Sequence, residues 1–270
     1  MSSVPSNETT IISLLSTLNN VILGKETQVK LALTCLLAQG HLLIEDLPGM
    51  GKTTLSHALA KVLGLDYNRI QFTSDILPAD ILGVSIFEQD SGSVIDSIDD
   101  SINTQAKHGY FRFHKGPIFS QLVLADEINR ATPKAQSALL EAMEEGQVTI
   151  EGETRQLPSP FFVIATQNPV SQSGTFPLPE SQLDRFLMRI SIGYPDAKSE
   201  MELFTGIDRR SMLNELKPLI SISQLQLLQS QVSQVHASTT VLEYIQRIIH
   251  YTRYEGGYRY GLSPRGSLGL

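Results

Sequence analysis

The sequence predicts an α/β fold: a parallel sheet flanked by helices around a phosphate-binding loop, followed by a small all-helical lid. Three observations predict it. A short apolar strand, Leu42-Leu43-Ile44, leads through Glu45 into Asp46-Leu47-Pro48-Gly49-Met50-Gly51-Lys52-Thr53, and a helix opens at Thr53. A second apolar strand, Leu122-Val123-Leu124-Ala125, runs straight into two adjacent acids, Asp126 and Glu127. Strands alternate with helical patterns as far as residue 194 and only helical patterns follow, which is the order of a doubly wound sheet with a helical appendage.

Taken in order, residues 1–20 read as a polar, mobile start and a short helix over 11–18. A longer helix over 26–39 carries Val29, Leu33, Leu36 and Leu37 on one face and stops at Gly40. Strand 42–45, the glycine-containing loop and helix 53–63 follow; Leu55, Leu59 and Val62 line that helix and Gly64 ends it. A strand near 69–72 precedes the acidic strand 121–126. Between them, 75–117 is a long insertion with a Ser/Asp-rich exposed piece (89–107) and a hairpin arm signalled by the alternation in Tyr110-Phe111-Arg112-Phe113.

Helix 133–145 has proline in its first turn and Gly146 just past its end. Segments 147–150 and 154–157 flank Glu151-Gly152-Glu153 and predict a β-hairpin. Strands 161–165 and 188–192 complete the sheet, and helices over 199–204, 223–231 and 239–251 fill the remainder, with a domain boundary near 195. The predicted domains are thus 1–20, 21–194 and 195–270.

Bulk properties narrow the function. A net charge of −7 argues against a sequence-independent nucleic-acid binder. No apolar run reaches the roughly 20 residues that cross a bilayer, and 2–10 lacks a signal-peptide pattern, so a cytoplasmic location is expected and Asn7-Glu8-Thr9 is not a glycosylation site. Cys35, the single cysteine, cannot form an intramolecular disulfide and falls in an apolar helical run, where it reads as core.

The two motifs together imply a nucleoside triphosphate site. The binding loop takes in Pro48, Gly49, Met50, Gly51, Lys52, Thr53 and Thr54; its backbone N–H groups (Pro48 has none) and a helix N-terminus attract phosphate oxygens. Lys52 neutralises the β- and γ-phosphates, and Thr53 with Asp126 holds Mg²⁺. Glu127 is the candidate general base for the attacking water. Asp46 stands where such a loop begins with glycine. Asn168, after strand 161–165, lies at a strand's carboxyl end and can reach the γ-phosphate, although an Asn-Pro turn explains it too. Arg185 and Arg265 read equally well as surface cations. Glu144 and Glu145, like Asp99 and Asp100, read as solvated acids, and His57 as packing or surface.

Gly-Lys-Thr at 51–53, Leu-Ala-Asp-Glu-Ile-Asn-Arg-Ala at 124–131, Gln-Ser-Ala-Leu-Leu-Glu-Ala-Met at 136–143, Ala-Thr-Gln-Asn-Pro at 165–169, Phe-Pro-Leu-Pro-Glu at 176–180 and Leu-Asp-Arg-Phe at 183–186 resemble the MoxR family of AAA+ ATPases, from about Val21 to Leu270. The resemblance makes Asn168 the first sensor, Arg185 an arginine finger for a neighbouring subunit (Arg189 a weaker candidate), and Arg265 the second sensor. It places adenine at Val21, Ile22 and Gly24, and makes Asp46 ordinary. It turns the helix-2 insert (75–117) and the pre-sensor hairpin (147–157) toward a central pore. The insert reads as about a dozen residues longer than usual, around 93–108, and because the family's lid continues for a few dozen residues past Leu270, the expectation is either a truncated chain or an incomplete lid.

What the resemblance implies is a Mg²⁺-dependent ATPase assembled into a homo-oligomeric, hexameric ring. It would remodel or mature a protein client, such as one with a von Willebrand A-type domain. Two alternatives stand beside it: a nucleotide-gated scaffold with weak turnover, and a nucleic-acid motor hinted at by Lys107 and Arg155 alone.

Overall fold

The computed structural model describes residues 6–47, 49–89, 109–168, 174–205 and 209–270. Pro48, most of the Ser/Asp-rich piece with Asp99, Asp100 and Lys107, and Pro169 lie outside the described residues.

Helix α1 (Asn7–Val21) starts earlier than the pattern predicts, because the Ser6 side chain accepts the Thr9 N–H as an N-cap. Leu14, Leu18 and Val21 are its buried face. Residues 7–10 of the polar start are therefore helical. Helix α2 (Glu26–Leu37) buries Val29, Ala32, Leu33, Cys35 and Leu36. Strand β1 (Leu42–Glu45) then feeds the loop that ends in helix α3 (Lys52–Leu63). Gly51 and Gly64, both left-handed, bound α3 as its N- and C-caps.

Strand β2 (Tyr67–Gln71), a short helix α4 (Pro78–Leu82) and the antiparallel arm β3 (Gly83–Gln89) and β4 (Gly109–Lys115) follow. The arm is the hairpin that the aromatic alternation predicts. Next come β5 (Leu122–Asp126), helix α5 (Pro133–Glu145), the hairpin β6 (Gln147–Ile150) and β7 (Glu153–Gln156), and β8 (Phe162–Gln167). A short α6 (Glu180–Leu183) precedes β9 (Met188–Ile190). The described elements after β9 are helical: α7 (Ala197–Thr205), α8 (Arg209–Glu215), α9 (Ile222–Val232), α10 (Thr239–His250) and α11 (Pro264–Leu268). The short α4, α6, α8 and α11 carry too few turns to leave a periodic signature in the sequence.

The central sheet has the order β2-β5-β8-β1-β9 and all its pairs are parallel. Both faces of β5 and β8 are buried, as a sheet covered by helices on each side requires. One core layer packs α1, α2, α3 and α9 on the sheet, and the other packs α5 against its opposite face. Among the described residues, no helix is long and apolar enough to cross a membrane.

Candidate functional site

In a parallel sheet of this kind the carboxyl ends of the strands define the site. Here β1, β2, β5 and β8 bring Lys52, Gln71, Asp126 and Asn168 to one edge. The cleft there, about 350 Å³, is lined by Gly49, Gly51, Lys52, Thr53, Thr54, Arg69, Gln71, Asp126 and Glu127.

Gly49 and Gly51 both have φ of +85°, and a Cβ at either would meet nothing within 4 Å. Left-handed backbone and open space in front of it are the two conditions for a backbone cradle around an anion. Lys52, buried in the first turn of α3, donates to the Asp46 carbonyl at 2.8 Å. Burial lowers its pKa, against the opposing charges of Asp126, Asp46 and Glu127. Thr53 is exposed to the cleft.

Asp46 has a structural job. Its carboxylate accepts from Leu47 N at 2.9 Å, Gly193 N at 2.5 Å and Ser191 Oγ at 3.2 Å, so it ties the loop to the segment after β9. Burial raises its pKa, but the bonds from Gly193, Leu47 and Ser191 more than offset this and hold the carboxyl below its ordinary value.

The acid pair is fixed from β8. Thr166 Oγ1 donates to Asp126 Oδ1 at 2.6 Å and accepts the Glu127 N–H at 2.8 Å. Glu127 is left-handed, φ 58° and ψ 45°, a conformation that costs a non-glycine residue about 1 kcal/mol or more. Its carboxylate accepts from Asn168 Nδ2 at 3.0 Å and Gln71 Nε2 at 3.2 Å, and pairs with Arg130 at 2.8 Å. Asp126 Oδ2 pairs with Arg69 at 2.6 Å. Asn168 is fully buried, and its Oδ1 has no partner among the described residues; such a buried acceptor beside Glu127 suits a water or ligand donor. Asn129 holds the backbone of Asn168 at both its C=O (3.0 Å) and its N–H (3.3 Å).

These residues fit a nucleoside triphosphate and a Mg²⁺ ion. The cradle, the cationic Lys52, the Thr53 hydroxyl and Asp126 offer oxygen and charge of the kind both require.

Other candidate residues lie elsewhere. Val21 is the buried last residue of α1 and Ile22 its C-cap. Gly24, φ +64°, is held against Ser199 of α7, where a Cβ would collide. Arg185 and Arg265 are not among the residues lining the cleft. Both pair with Glu144, Arg185 at 2.9 Å. Glu144 is therefore not the freely solvated acid its sequence context suggests. Arg189 pairs with Glu45. His57 stacks on Tyr67, ring centroids 4.9 Å apart. Sequence reasoning missed Arg69, Gln71, Arg130, Asn129 and Thr166. Arg130 and Asn129 adjoin the acid pair and could have been flagged; Thr166 and Arg69 carry no signal until the strands are paired.

Residues 41–188 match the model of the ATPase family associated with various cellular activities, AAA. A Mycobacterium tuberculosis (strain ATCC 25618 / H37Rv) relative named Chaperone MoxR1 is 37% identical over 259 residues, 93% of this chain and 64% of its own length. The chain belongs to the AAA ATPases, of MoxR type. Uncharacterized protein YeaC of Bacillus subtilis (strain 168) is 47% identical over 253 residues, 94% of this chain and 74% of that protein. Protein MoxR of Paracoccus denitrificans is 32% identical and matched over 68% of this chain and 50% of its own length. The chain thus spans less than two thirds of both MoxR-named relatives. The crystal structure of "a putative ATPase" from Cytophaga hutchinsonii superposes with a TM-score of 0.82 at 36% identity, covering 97% of this chain and 77% of that one. A nucleotide site is what membership of this family implies.

Proposed function

We propose that this MoxR-type chain hydrolyses ATP with Mg²⁺, works as a ring of like subunits, six in number, and converts turnover into remodelling or maturation of a protein client. The observation that carries the reading is the Asp126–Glu127 pair, held by Thr166 and Asn168 at the mouth of the Gly49–Thr53 cradle.

In this mechanism Lys52 leaves the Asp46 carbonyl for the β- and γ-phosphates, and the backbone N–H groups from Gly49 to Thr54 receive their oxygens. Thr53 and Asp126 would hold Mg²⁺, which would supply positive charge to the phosphates. Glu127 takes the proton of the attacking water, and Asn168 orients that water through its Oδ1. Adenine lies by Val21, Ile22 and Gly24. Arg185 acts as the finger for the nucleotide of the next subunit, and Arg265, the second sensor, is placed with it because both pair with Glu144 and neither lines the cleft of its own subunit. This is the physical reason for a ring.

The chaperone name of one relative and the acidic balance of this chain support a protein client over a nucleic acid. A von Willebrand A-type domain is the client class that the MoxR resemblance suggests. The second reading, a nucleotide-gated scaffold with slow turnover, is favoured by one observation: arginines engage both Asp126 and Glu127. The deciding experiment is ATP turnover by the parent and by Arg185→Ala. A loss of about a thousandfold supports the ring ATPase; equal rates would remove the shared site.

A further inference from the structure

Arg185 and Arg265 come from different parts of the fold. Arg185 lies between α6 and β9, and Arg265 sits in the first turn of α11. They converge on a single carboxylate: Glu144 Oε2 forms an ion pair with Arg185 at 2.9 Å, and Glu144 Oε1 accepts from Arg265. A second link runs beside the first, with Ser263 Oγ donating to Asp184 Oδ1 at 2.6 Å.

Neither local structure nor stability explains an acid here. Glu144 occupies the last turn of α5, where the negative end of the helix dipole disfavours a carboxylate. The ion pairs are partly exposed, with side-chain exposures of 26% for Arg185, 48% for Arg265 and 35% for Glu144, and exposed pairs contribute little to folding. What the carboxylate does achieve is geometric. Two guanidinium groups held close together repel, and one negative charge between them cancels that repulsion while leaving the trio net positive. The hydrogen bond from Arg265 and the charge of Arg185 keep the Glu144 carboxyl below its ordinary pKa, so it stays ionised.

The position of Glu144 in the chain adds a connection. Two residues later Gly146 ends α5, and its carbonyl accepts the Leu157 N–H at 3.0 Å, closing the base of the β6–β7 hairpin. The turn that holds the two arginines is therefore the root of that hairpin.

We propose that Glu144 is a positioning residue that presents Arg185 and Arg265 together to an anion on the neighbouring subunit and ties that pair to the hairpin. This rests on the reading of the two arginines as acting in the neighbour's site.

The test mixes subunits. Glu144→Gln alone is expected to lower kcat about ten- to a hundredfold, a fraction of what loss of a whole finger costs, with KM for ATP changed less than about threefold. Its melting temperature is expected within about 2 °C of the parent's, as for an exposed pair. Lys52→Ala subunits bind no nucleotide but carry intact arginines. Mixing them with Glu144→Gln subunits should raise turnover well above the sum of the two alone, because intact cradles then face intact arginine pairs. Arg185→Ala with Lys52→Ala is run in parallel. If that control recovers and the Glu144→Gln mixture does not, or if Glu144→Gln turns over like the parent, Glu144 does not position the pair. If the control also fails to recover, the arginines do not act across the interface, and this proposal falls with that reading. Glu144→Ala in the same mixture gives the same readout should Glu144→Gln fold poorly.

Discussion

Thr166 on β8 donates its hydroxyl proton to Asp126 on β5 at 2.6 Å, and its oxygen also receives the N–H of the next residue, Glu127, at 2.8 Å. One hydroxyl thereby orients the first acid and supports the strained backbone of the second. Replacing it by valine keeps the volume and removes both bonds. Thr166→Val is expected to lose about 1–3 kcal/mol of stability, the cost of a buried donor left without a partner, and to turn over ATP at least about tenfold more slowly. Urea unfolding and steady-state ATPase rates check the two effects separately.

Arg69 neutralises Asp126 at 2.6 Å while its own side chain remains 47% exposed, so it can swing away. If Asp126 holds Mg²⁺, Arg69 competes for the same oxygen. Arg69→Met is expected to lower the half-saturating Mg²⁺ concentration for ATP binding by about threefold or more, the direction set by removing a nearby like charge. Titration of nucleotide binding with Mg²⁺ measures it, and a rise instead would make Arg69 a phosphate contact.

His41 is matched as a neutral ring: its Nδ1 accepts the Val163 N–H at 3.0 Å and its Nε2 lies 3.3 Å from the Met143 carbonyl. Burial holds its pKa at about 4, below the usual 6.5, against the Met143 bond that raises it. Between those values the unfolded chain takes up a proton that the folded chain refuses. The contribution is complete above pH 6.5 and falls away toward pH 4, by about 3 kcal/mol. Unfolding free energies at pH 7.5 and 4.5 should differ less in His41→Gln than in the parent by about that amount.

Cys35 is buried, and burial pushes its thiol up to about 12 against a backbone hydrogen bond from Met188. Thiolate is the reactive species. Iodoacetamide at pH 8 should therefore leave the folded protein unmodified and label it stoichiometrically in denaturant, as intact mass will show.

The parallel sheet and its helices were legible because each signal was local. Pro133 and Gly146 bracket α5, and an apolar run ending in Asp126-Glu127 announces β5. The elements that escaped are those whose meaning depends on pairing. Strand 161–165 read as ending before Thr166, yet β8 runs to Gln167 and places Thr166 level with Asp126 across the sheet. An arginine in strand β2 looks like any exposed strand residue until β5 lies beside it. Glu144 looked solvated because the residues that claim it, Arg185 and Arg265, are 41 and 121 positions away in the chain. Asp46 signalled a departure from a glycine start, but its reason, Gly193 and Ser191, lies beyond β9.

The central claim is that Glu127 activates the water that attacks ATP. The direct measurement is ATP binding and turnover by the parent, Lys52→Ala and Glu127→Gln. Lys52→Ala should not bind ATP, and Glu127→Gln should bind it like the parent with turnover reduced at least about a hundredfold. Turnover by Glu127→Gln equal to the parent's would contradict it.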